Sequence, residues 1–600
     1  MTPKPDAIPA SAAGTLACLQ LLEALQTRGL IQLVLCPGSR SGPLAIAASL
    51  LEPRGLAIST AIDERSAAFF ALGWARGAGR PVAVVTTSGS AVANLLPALV
   101  EADQGGIPLL LLTADRPARL KGCGANQTVN QETFLQPCCR WLGQGDPLGL
   151  AAMDPSALQD LAQQAMAAAY GNAFQPPGPA HLNLPLEEPL HPDQAALAWL
   201  AASRPPLATG AAAVAAPPSE GIPWAGRGEV ALNADHPGVV VAGPWRGSPT
   251  SWAGHLEALD TWQRRTGWPV LADALSGLRG VAHGGIVAGY DLILAGSPPQ
   301  LEAPQVLRLG PLPASRRLHT WLEQQRGPQV LISEGDSRPL DPLKRIQGQW
   351  SGGLAHWPGL AKAGPGSPCA AAYALRQRWL AMEREVQGLL QSHWARERPA
   401  GTLEEPWVAR RLSQLLPPQL AVMLANSSPV RDWESFADPS APGRPIFSFR
   451  GASGIDGTLS IACGLAEVLG SLVLVSGDLA LQHDSNGWLW RSQLKGKLLV
   501  VLIDNGGGGI FEQLPIRPVA PNAFDFDRLF AMPQSVDPCA LAAAHGVPSR
   551  TVRLQGDLAE ALRWGLAQPL ALLRLVSNRQ ADAVVRHQLR TMAATLSALP

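Results

Sequence analysis

Short runs of uninterrupted apolar residues, each closed by Gly, Ser or Asp and followed by a helical pattern, recur along this chain and constrain its fold most. In the first third they are Leu30 to Cys36, Pro81 to Thr87 and Ile107 to Thr113. A strand with one solvated face alternates apolar and polar residues, whereas a strand apolar throughout is covered on both faces. Continuous runs separated by helices therefore predict α/β architecture, with parallel sheets flanked by helices. The 600 residues exceed what one core organises, so the rhythm must be shared among several domains. An Ala/Pro-rich stretch from Ala195 to Gly221 reads as a linker. Beyond it, Gly238 to Ala242, Leu292 to Ala295, Gln305 to Leu309 and Gln329 to Ser333 read as strands. A Gly/Pro-rich stretch from Gly352 to Pro368 marks a second boundary. Ala421 to Leu424, Ser471 to Ser476, Leu498 to Ile503 and Leu570 to Leu575 then repeat the pattern. The expected domains are 1–195, 196–365 and 366–600, each a mainly parallel sheet flanked by helices.

Composition removes several classes of function. Lys+Arg and Asp+Glu both number 47, so no global field favours nucleic acid or an anionic membrane. No run reaches the ~18 apolar residues of a membrane span. A single early Lys4 and the interruption at Glu23 argue against a signal peptide. Eight cysteines, with no CxxC pair, suggest neither a disulfide framework nor a zinc site, and cytoplasm is the expected compartment. The turn Gly243-Pro244-Trp245 lacks the GxGxxG spacing that seats a dinucleotide. Trp224, Trp245, Trp252, Trp262 and Trp268 crowd into the middle part and read as core and domain-interface residues.

Two turns in the last part carry chemistry. The strand Leu472 to Ser476 ends in Gly477-Asp478, and the strand Leu499 to Ile503 ends in Asp504-Asn505-Gly506-Gly507. Asn505 follows Asp478 by 505 − 478 = 27 positions, a span that suits a strand–helix–strand crossover. Both side chains then stand at the carboxyl ends of parallel strands, where open α/β sheets bind ligands. A carboxylate, an amide oxygen and a carbonyl such as that of Gly507 form an all-oxygen set that Mg²⁺ accepts. The glycines after Asn505 let backbone N–H groups approach a phosphate. This resembles the GD…NN diphosphate-binding motif of thiamin-diphosphate enzymes. Leu479 replaces the glycine often found after the Asp, and Asp504 replaces the first Asn.

Near the other end, Ile62-Asp63-Glu64-Arg65-Ser66 lies between a strand-like run, Ala57 to Ile62, and a helix from Ser66 to Arg76. Alone, it reads as an acidic helix start favoured by the macrodipole. Beside a diphosphate motif and the turn Thr87-Ser88-Gly89-Ser90-Ala91 it acquires a second meaning. Thiamin needs a poorly solvated carboxyl against its pyrimidine nitrogen to make the C2 ylid, and Glu64 fits that need.

The wording of the motifs narrows the resemblance. Cys36-Pro37-Gly38-Ser39-Arg40-Ser41, Asp63-Glu64-Arg65, Thr87 through Asn94, Thr113-Ala114-Asp115-Arg116-Pro117 and Gly124-Ala125-Asn126-Gln127 come first. Asn426-Ser427 with Arg431, Arg450 through Gly457, and Gly509-Ile510-Phe511 follow. In order and wording they resemble the 2-succinyl-5-enolpyruvyl-6-hydroxy-3-cyclohexene-1-carboxylate synthase family of menaquinone and phylloquinone biosynthesis. The resemblance covers the first and last domains almost throughout and the middle one weakly.

That resemblance implies a thiamin-diphosphate fold, with a pyrimidine-binding first domain and a diphosphate-binding last domain. It implies decarboxylation of 2-oxoglutarate and conjugate addition of the succinyl carbanion to isochorismate. The products would be 2-succinyl-5-enolpyruvyl-6-hydroxy-3-cyclohexene-1-carboxylate and CO₂. The cofactors implied are thiamin diphosphate and Mg²⁺ or Mn²⁺. Glu64 would activate the cofactor. Ser88, Gly89, Ile455, Gly477, Ile510 and Phe511 would contact it, and Asp478, Asn505 and Gly507 would hold the metal. Ser427, Arg431 and Arg450 would bind the 2-oxoglutarate side. Ser39, Arg40, Arg116, Asn126 and Gln127 would line the isochorismate side, and Arg316 falls where the family places a basic substrate-binding residue. A homodimer or homotetramer is implied, with the two halves of each site coming from different chains.

Independent chemistry agrees: two dicarboxylate substrates call for several guanidinium groups. No HH dipeptide of the kind simple decarboxylases use for proton transfer occurs, which suits a carboligase. The alternatives are another thiamin carboligase or decarboxylase, such as an acetohydroxyacid synthase-like enzyme, and a catalytically silent thiamin-fold protein. The arginines argue against the first. The presence of Glu64, Asp478 and Asn505 argues against the second.

Overall fold

The computed structural model describes residues 8–172, 174–202, 232–281, 284–296, 299–395, 400–517 and 523–596. It contains three six-stranded sheets, and all of their strand pairs are parallel. The first comprises β1 (Gln32–Leu35), β2 (Ala57–Thr60), β3 (Val82–Thr86), β4 (Leu109–Asp115), β5 (Trp141–Gln144) and β6 (Pro179–Pro185), in the order β2-β1-β3-β4-β6-β5. The second comprises β7 (Val239–Ala242), β8 (Val270–Ala272), β9 (Ile286–Val287), β10 (Val306–Leu309), β11 (Gln329–Ile332) and β12 (Gly348–Trp350), in the order β12-β11-β10-β7-β8-β9. The third comprises β13 (Ala421–Leu424), β14 (Ile446–Phe447), β15 (Ser471–Gly477), β16 (Lys497–Asp504), β17 (Ser549–Val552) and β18 (Leu570–Val576), in the order β14-β13-β15-β16-β18-β17.

Strand order decides where ligands can bind. In the first and third sheets the direction of winding reverses beside the first strand. The loops after β1 and β3, and after β13 and β15, therefore diverge and leave a crevice at the carboxyl edge. The central strands β3, β4 and β6 are buried along their whole length, as continuous apolar runs covered by helices require.

The described residues form two compact units. One contains the first sheet together with Arg450–Val468 and Asn486–Leu494; the other contains the second and third sheets. In the first unit the helix Glu64–Ala78 lies against the helix Thr458–Leu469. A Cβ on Gly73 would stand 2.1 Å from the Ile461 carbonyl oxygen, so this close approach requires glycine. Phe70 stacks on Trp490 at 3.9 Å, and Ser66 Oγ lies 2.7 Å from Ser460 Oγ.

Several expectations need correction. Leu292 to Ala295 is not a strand: Tyr290–Ile293 is a short helix followed by a 3-10 turn, Leu294–Gly296. A four-residue apolar run has no period to separate the two forms. The stretch read as linker begins with a helix, Gln194–Ala202, while 203–231 lies outside the described residues. Gly352 to Pro368 holds two short helices, Leu354–His356 and Pro358–Lys362, rather than plain loop. The β2 strand stops at Thr60, and Ile62 is exposed. Trp262 and Trp268 are fully buried and meet edge to face at 5.3 Å. Trp245 and Trp252 meet at 4.8 Å, and Trp224 lies outside the described residues.

Candidate active site

At the first sheet's crevice, the loop after β1 runs against the loop after β3. A Cβ on Gly38 would lie 2.4 Å from Thr87 Cβ, so the two loops meet where glycine allows it. Arg40 is buried; its Nη1 donates to the Leu186 carbonyl at 2.8 Å and its Nη2 lies 3.5 Å from Glu188. The Arg40 Nε is buried without a hydrogen-bond partner. Arg116 Nη1 donates to Ser88 Oγ and, at 3.0 Å, to the Gln127 carbonyl. Burial, and then the nearby Arg40 cation, pull the Arg116 pKa down against the opposing pull of Asp115. Two guanidinium groups that repel one another are thus held at one edge, a disposition that fits a dianion.

Ser88 and Gly89 sit in the same network. Gln127, at φ +58°, donates through Nε2 to the Ser88 carbonyl at 2.8 Å. Gly89 has φ +88° and ψ −136°, a conformation that belongs to glycine. Its N–H donates to Gln131 Oε1 at 3.0 Å. Gln131 escaped the sequence reading; it is fully buried and also donates to the Ala114 carbonyl and to Asn183 Oδ1. Its only signal is a position shortly after Asn126-Gln127. Ser39, Asn126 and Gln127 are exposed on these loops.

Glu64 opens the helix Glu64–Ala78, as a strand-to-helix turn predicts. Asp63 is its N-cap, accepting from Arg65 N at 2.9 Å and Ser66 N at 3.2 Å. Asn486 Nδ2 donates to the other Asp63 oxygen at 2.8 Å. With Asp63 thus committed, Glu64 is half-buried near Cys36, whose thiol is pushed up by burial and then by the Glu64 and Asp63 charges. Ile455, also half-buried, lies in a loop fixed by a residue the sequence did not single out. The buried Glu101 accepts from the backbone N–H groups of Gly451, Ala452 and Ser453 at 2.7, 2.7 and 3.2 Å. Arg450, half-buried, begins this segment.

The third sheet's crevice is acidic. Asp478, at the end of β15, accepts from Leu479 N at 2.8 Å and from Gly507 N at 2.7 Å. Leu479 contributes its backbone there, so a side chain in place of glycine does not disturb the contact. Burial pushes the Asp478 carboxyl up to about 6, against those two N–H groups and with Asp504 and Glu405 adding to the rise. Asp504, which replaces the expected first Asn, is paired with Arg574 at 2.6 Å. Asn505 Nδ2 donates to Glu405 Oε1 at 2.6 Å, and its Oδ1 is buried with no hydrogen-bond partner. Gly506 and Gly507 have φ +83° and +117°, and a Cβ on Gly507 would strike the Ala531 carbonyl oxygen at 2.2 Å. An orphaned amide oxygen, an under-compensated carboxylate and a glycine cradle fit a divalent cation carrying a diphosphate.

Beside them, Ser427 precedes the helix Ser428–Phe436 with φ +73° and ψ −129°, a strained conformation for a residue with a Cβ, costing about 1–3 kcal/mol. Arg431 Nη1 donates to the Ser427 carbonyl at 2.7 Å, and the Arg431 side chain is exposed. Ile510 and Phe511 lie half-buried in the turn Gly509–Gln513. Arg316 stands on the second sheet instead, exposed at the start of the helix Arg316–Gln324 after β10. The network behind Asn505 also went unread: Glu405, Asp432, Asp582 and Arg586, all buried.

Comparison with known proteins joins these edges to one chemistry. Residues 19–134 match the family described as thiamine pyrophosphate enzyme, N-terminal TPP binding domain. Residues 229–424 match the middle domain of thiamine pyrophosphate enzymes, and 434–573 their C-terminal TPP binding domain. The chain is a thiamin-diphosphate enzyme. Its relatives include a protein of Synechococcus sp. (strain RCC307), 54% identical over 578 residues, covering 95% of this chain and 96% of the relative. One from Parasynechococcus marenigrum (strain WH8102) is 55% identical over 573 residues, covering 94% and 98%. One from Prochlorococcus marinus (strain MIT 9313) is 50% identical over 580 residues, covering 94% and 97%. All three bear the name 2-succinyl-5-enolpyruvyl-6-hydroxy-3-cyclohexene-1-carboxylate synthase, and this chain belongs to that family.

Proposed function

We propose that the chain decarboxylates 2-oxoglutarate and adds the resulting succinyl unit to the ring double bond of isochorismate. What carries this reading is the paired guanidinium groups of Arg40 and Arg116 at the first crevice, in a chain about half identical to named synthases along nearly its whole length. A small apolar oxo acid, the substrate of an acetohydroxyacid synthase-like enzyme, needs no such pair. Thiamin diphosphate, when bound, supplies a nucleophilic carbon and takes up the charge left by CO₂.

The chain's own groups do the rest. Glu64 would share a proton with the pyrimidine nitrogen of bound thiamin diphosphate, and Ser88, Gly89 and Ile455 on the first unit would contact the cofactor. Asp478, Asn505 through its orphaned Oδ1, and the Gly507 carbonyl would hold Mg²⁺ or Mn²⁺, and Gly477, Ile510 and Phe511 would line the diphosphate edge. Ser427, Arg431 and Arg450 hold the succinyl tail derived from 2-oxoglutarate. Ser39, Arg40, Arg116, Asn126 and Gln127 bind isochorismate, with Arg316 as a further basic contact. Assembly as a homodimer or homotetramer in the cytoplasm belongs to the same reading. No helix among the described residues is long and apolar enough to cross a membrane.

The test is to incubate purified protein with thiamin diphosphate, Mg²⁺, 2-oxoglutarate and isochorismate and to follow CO₂ and the succinylated product. Product should form only when all four are present. Turnover of pyruvate at the same rate in place of 2-oxoglutarate would reject the reading.

A further inference from the structure

Asn505 has two polar ends, and its neighbours dictate which end faces the crevice. Its Nδ2 lies 2.6 Å from Glu405 Oε1, and its Oδ1 is buried with no partner. A carboxylate only accepts, so an amide beside it must present its NH₂ and turn its oxygen away. Glu405 is held from behind. Its Oε2 accepts from Arg586 Nη2 at 2.6 Å, and its backbone N–H donates to Asp582 Oδ1 at 2.9 Å. Arg586 is fixed in turn by Asp432, donating from Nε to Oδ1 at 2.8 Å and from Nη2 to Oδ2 at 2.5 Å. Gly509 closes the remaining side, because a Cβ there would stand 2.5 Å from Asn505 Nδ2. Oε1 thus faces the Asn505 amide and Oε2 faces Arg586, with the Asp582 carboxyl also bonded to the Glu405 side chain. Because the group facing the amide only accepts, the amide has one orientation.

We infer that Glu405, braced by Arg586, is a positioning residue that aims the Asn505 oxygen at the metal. This rests on the reading that Asp478 and Asn505 are metal ligands. The C-terminal helix Arg579–Leu596, which carries Asp582 and Arg586, thereby becomes part of the diphosphate machinery although it supplies no ligand. Groups behind a ligand that fix its orientation are a general feature of metal sites, and their loss costs roughly 10–100-fold in metal affinity.

The geometry makes a reciprocal prediction. In Glu405→Gln one oxygen becomes an NH₂. Turned toward Arg586, it would set donor against donor; turned toward Asn505, it would force that amide to rotate and present NH₂ to the metal. Either way, affinity should fall by about 10–100-fold. In Asn505→Asp two carboxylates would face each other across the 2.6 Å contact, so affinity should fall although a negative charge has been added beside a cation. Combining the two should restore binding: the new amide donates to one oxygen of the new carboxylate and leaves the other for the metal. A residue that only supports the fold would show no such rescue.

The measurement is Mn²⁺ binding to the full chain with thiamin diphosphate present, by calorimetry and by the Mn²⁺ electron-spin signal, with melting curves as a check on folding. Wild-type Mn²⁺ affinity in folded Glu405→Gln, or a double variant no better than either single, overturns the inference. If Glu405→Gln does not fold, Asn505→Asp decides alone, and binding as tight as wild type overturns it. Asp478→Ala separates the levels. Wild-type affinity there rejects the metal site itself, whereas a loss there without a loss in Glu405→Gln rejects only the role of Glu405.

Discussion

The first and third sheets share one strand order and one crevice position, yet their edges carry opposite chemistry. At the first, Arg40 and Arg116 present donors, the amides of Gln127 and Gln131 being spent within the loops, with Asp115 spent on Lys121 at 2.7 Å and on Asn183 at 2.9 Å. At the third, Asp478 and the Asn505 oxygen present acceptors, Arg431 stands exposed beside Ser427, and the guanidinium groups behind the turns are taken. Arg574 holds Asp504, and Arg586 holds Glu405 and Asp432. Topology therefore says where a ligand can sit, and the last residues of each strand say which charge it carries. An edge of donors suits carboxylates; an edge of uncompensated oxygens suits a cation.

The comparison is most exposed at Glu64, the one acidic group assigned a chemical role on the donor-rich side. Glu64→Gln should keep cofactor binding while exchange of the thiamin C2 proton slows by about 10²–10⁴-fold, the range of general acid–base effects. NMR showing unchanged exchange would remove Glu64 from the role. On the acceptor side, Asp478→Ala should weaken metal and thiamin diphosphate together. The loss should be no smaller than the roughly 10–100-fold of an outer-shell partner, because a direct ligand is lost. Calorimetric titration with both unchanged would leave the third edge without its function.

A smaller effect tests the division of the arginines. Arg431→Ala should raise KM for 2-oxoglutarate by about 1.5–3 kcal/mol, the value of a hydrogen bond to a charged group, and leave cofactor affinity nearly intact. If only the KM for isochorismate moved, Arg431 would belong with Arg40 and Arg116. Arg40 and Arg431 were both legible in the sequence because they lie inside short motifs at strand ends. Strands such as β3, β4, β15 and β16 were legible because their apolar runs are rich in Val and Leu and end in turn residues, whereas the shorter run Leu292 to Ala295 was misread. β6 was not: His181 and Asn183 interrupt its apolar pattern, and the partners that satisfy them, Thr113, Asp115 and Gln131, lie about 50–70 positions away. Glu405 and Arg586 are 181 positions apart, so only the folded chain reveals that they meet. Glu404-Glu405-Pro406 alone is an ordinary acidic helix start.

Acid should act on the two sheets in opposite directions. In the first, His181 is fully buried with Nε2 2.7 Å from Thr113 Oγ1, and burial pulls its pKa down from 6.5 to about 3. Its folded value is depressed, so its contribution is complete above the unfolded pKa. It is lost as pH falls from about 6.5 toward 3, because only the unfolded chain takes up the proton. The expected slope in that window is about 1.4 kcal/mol per pH unit. In the third, burial and the neighbouring Glu405 charge push the Asp582 carboxyl up from 3.8 to about 8, Arg586 opposing. A raised carboxyl works the other way: between pH 8 and 3.8 the folded chain holds the extra proton, so acidification favours folding there. Hydrogen exchange compared at pH 7.5 and 5.5, after correction for the intrinsic rate, should therefore show β4 and β6 amides opening more easily. Those of the helix Arg579–Leu596 should open less easily. Replacing His181 with Asn should flatten the first trend and leave the second, and Asp582→Asn should do the converse. If acid loosened both regions alike, the contrast between the two edges would stop at their ligands and not extend into the cores behind them.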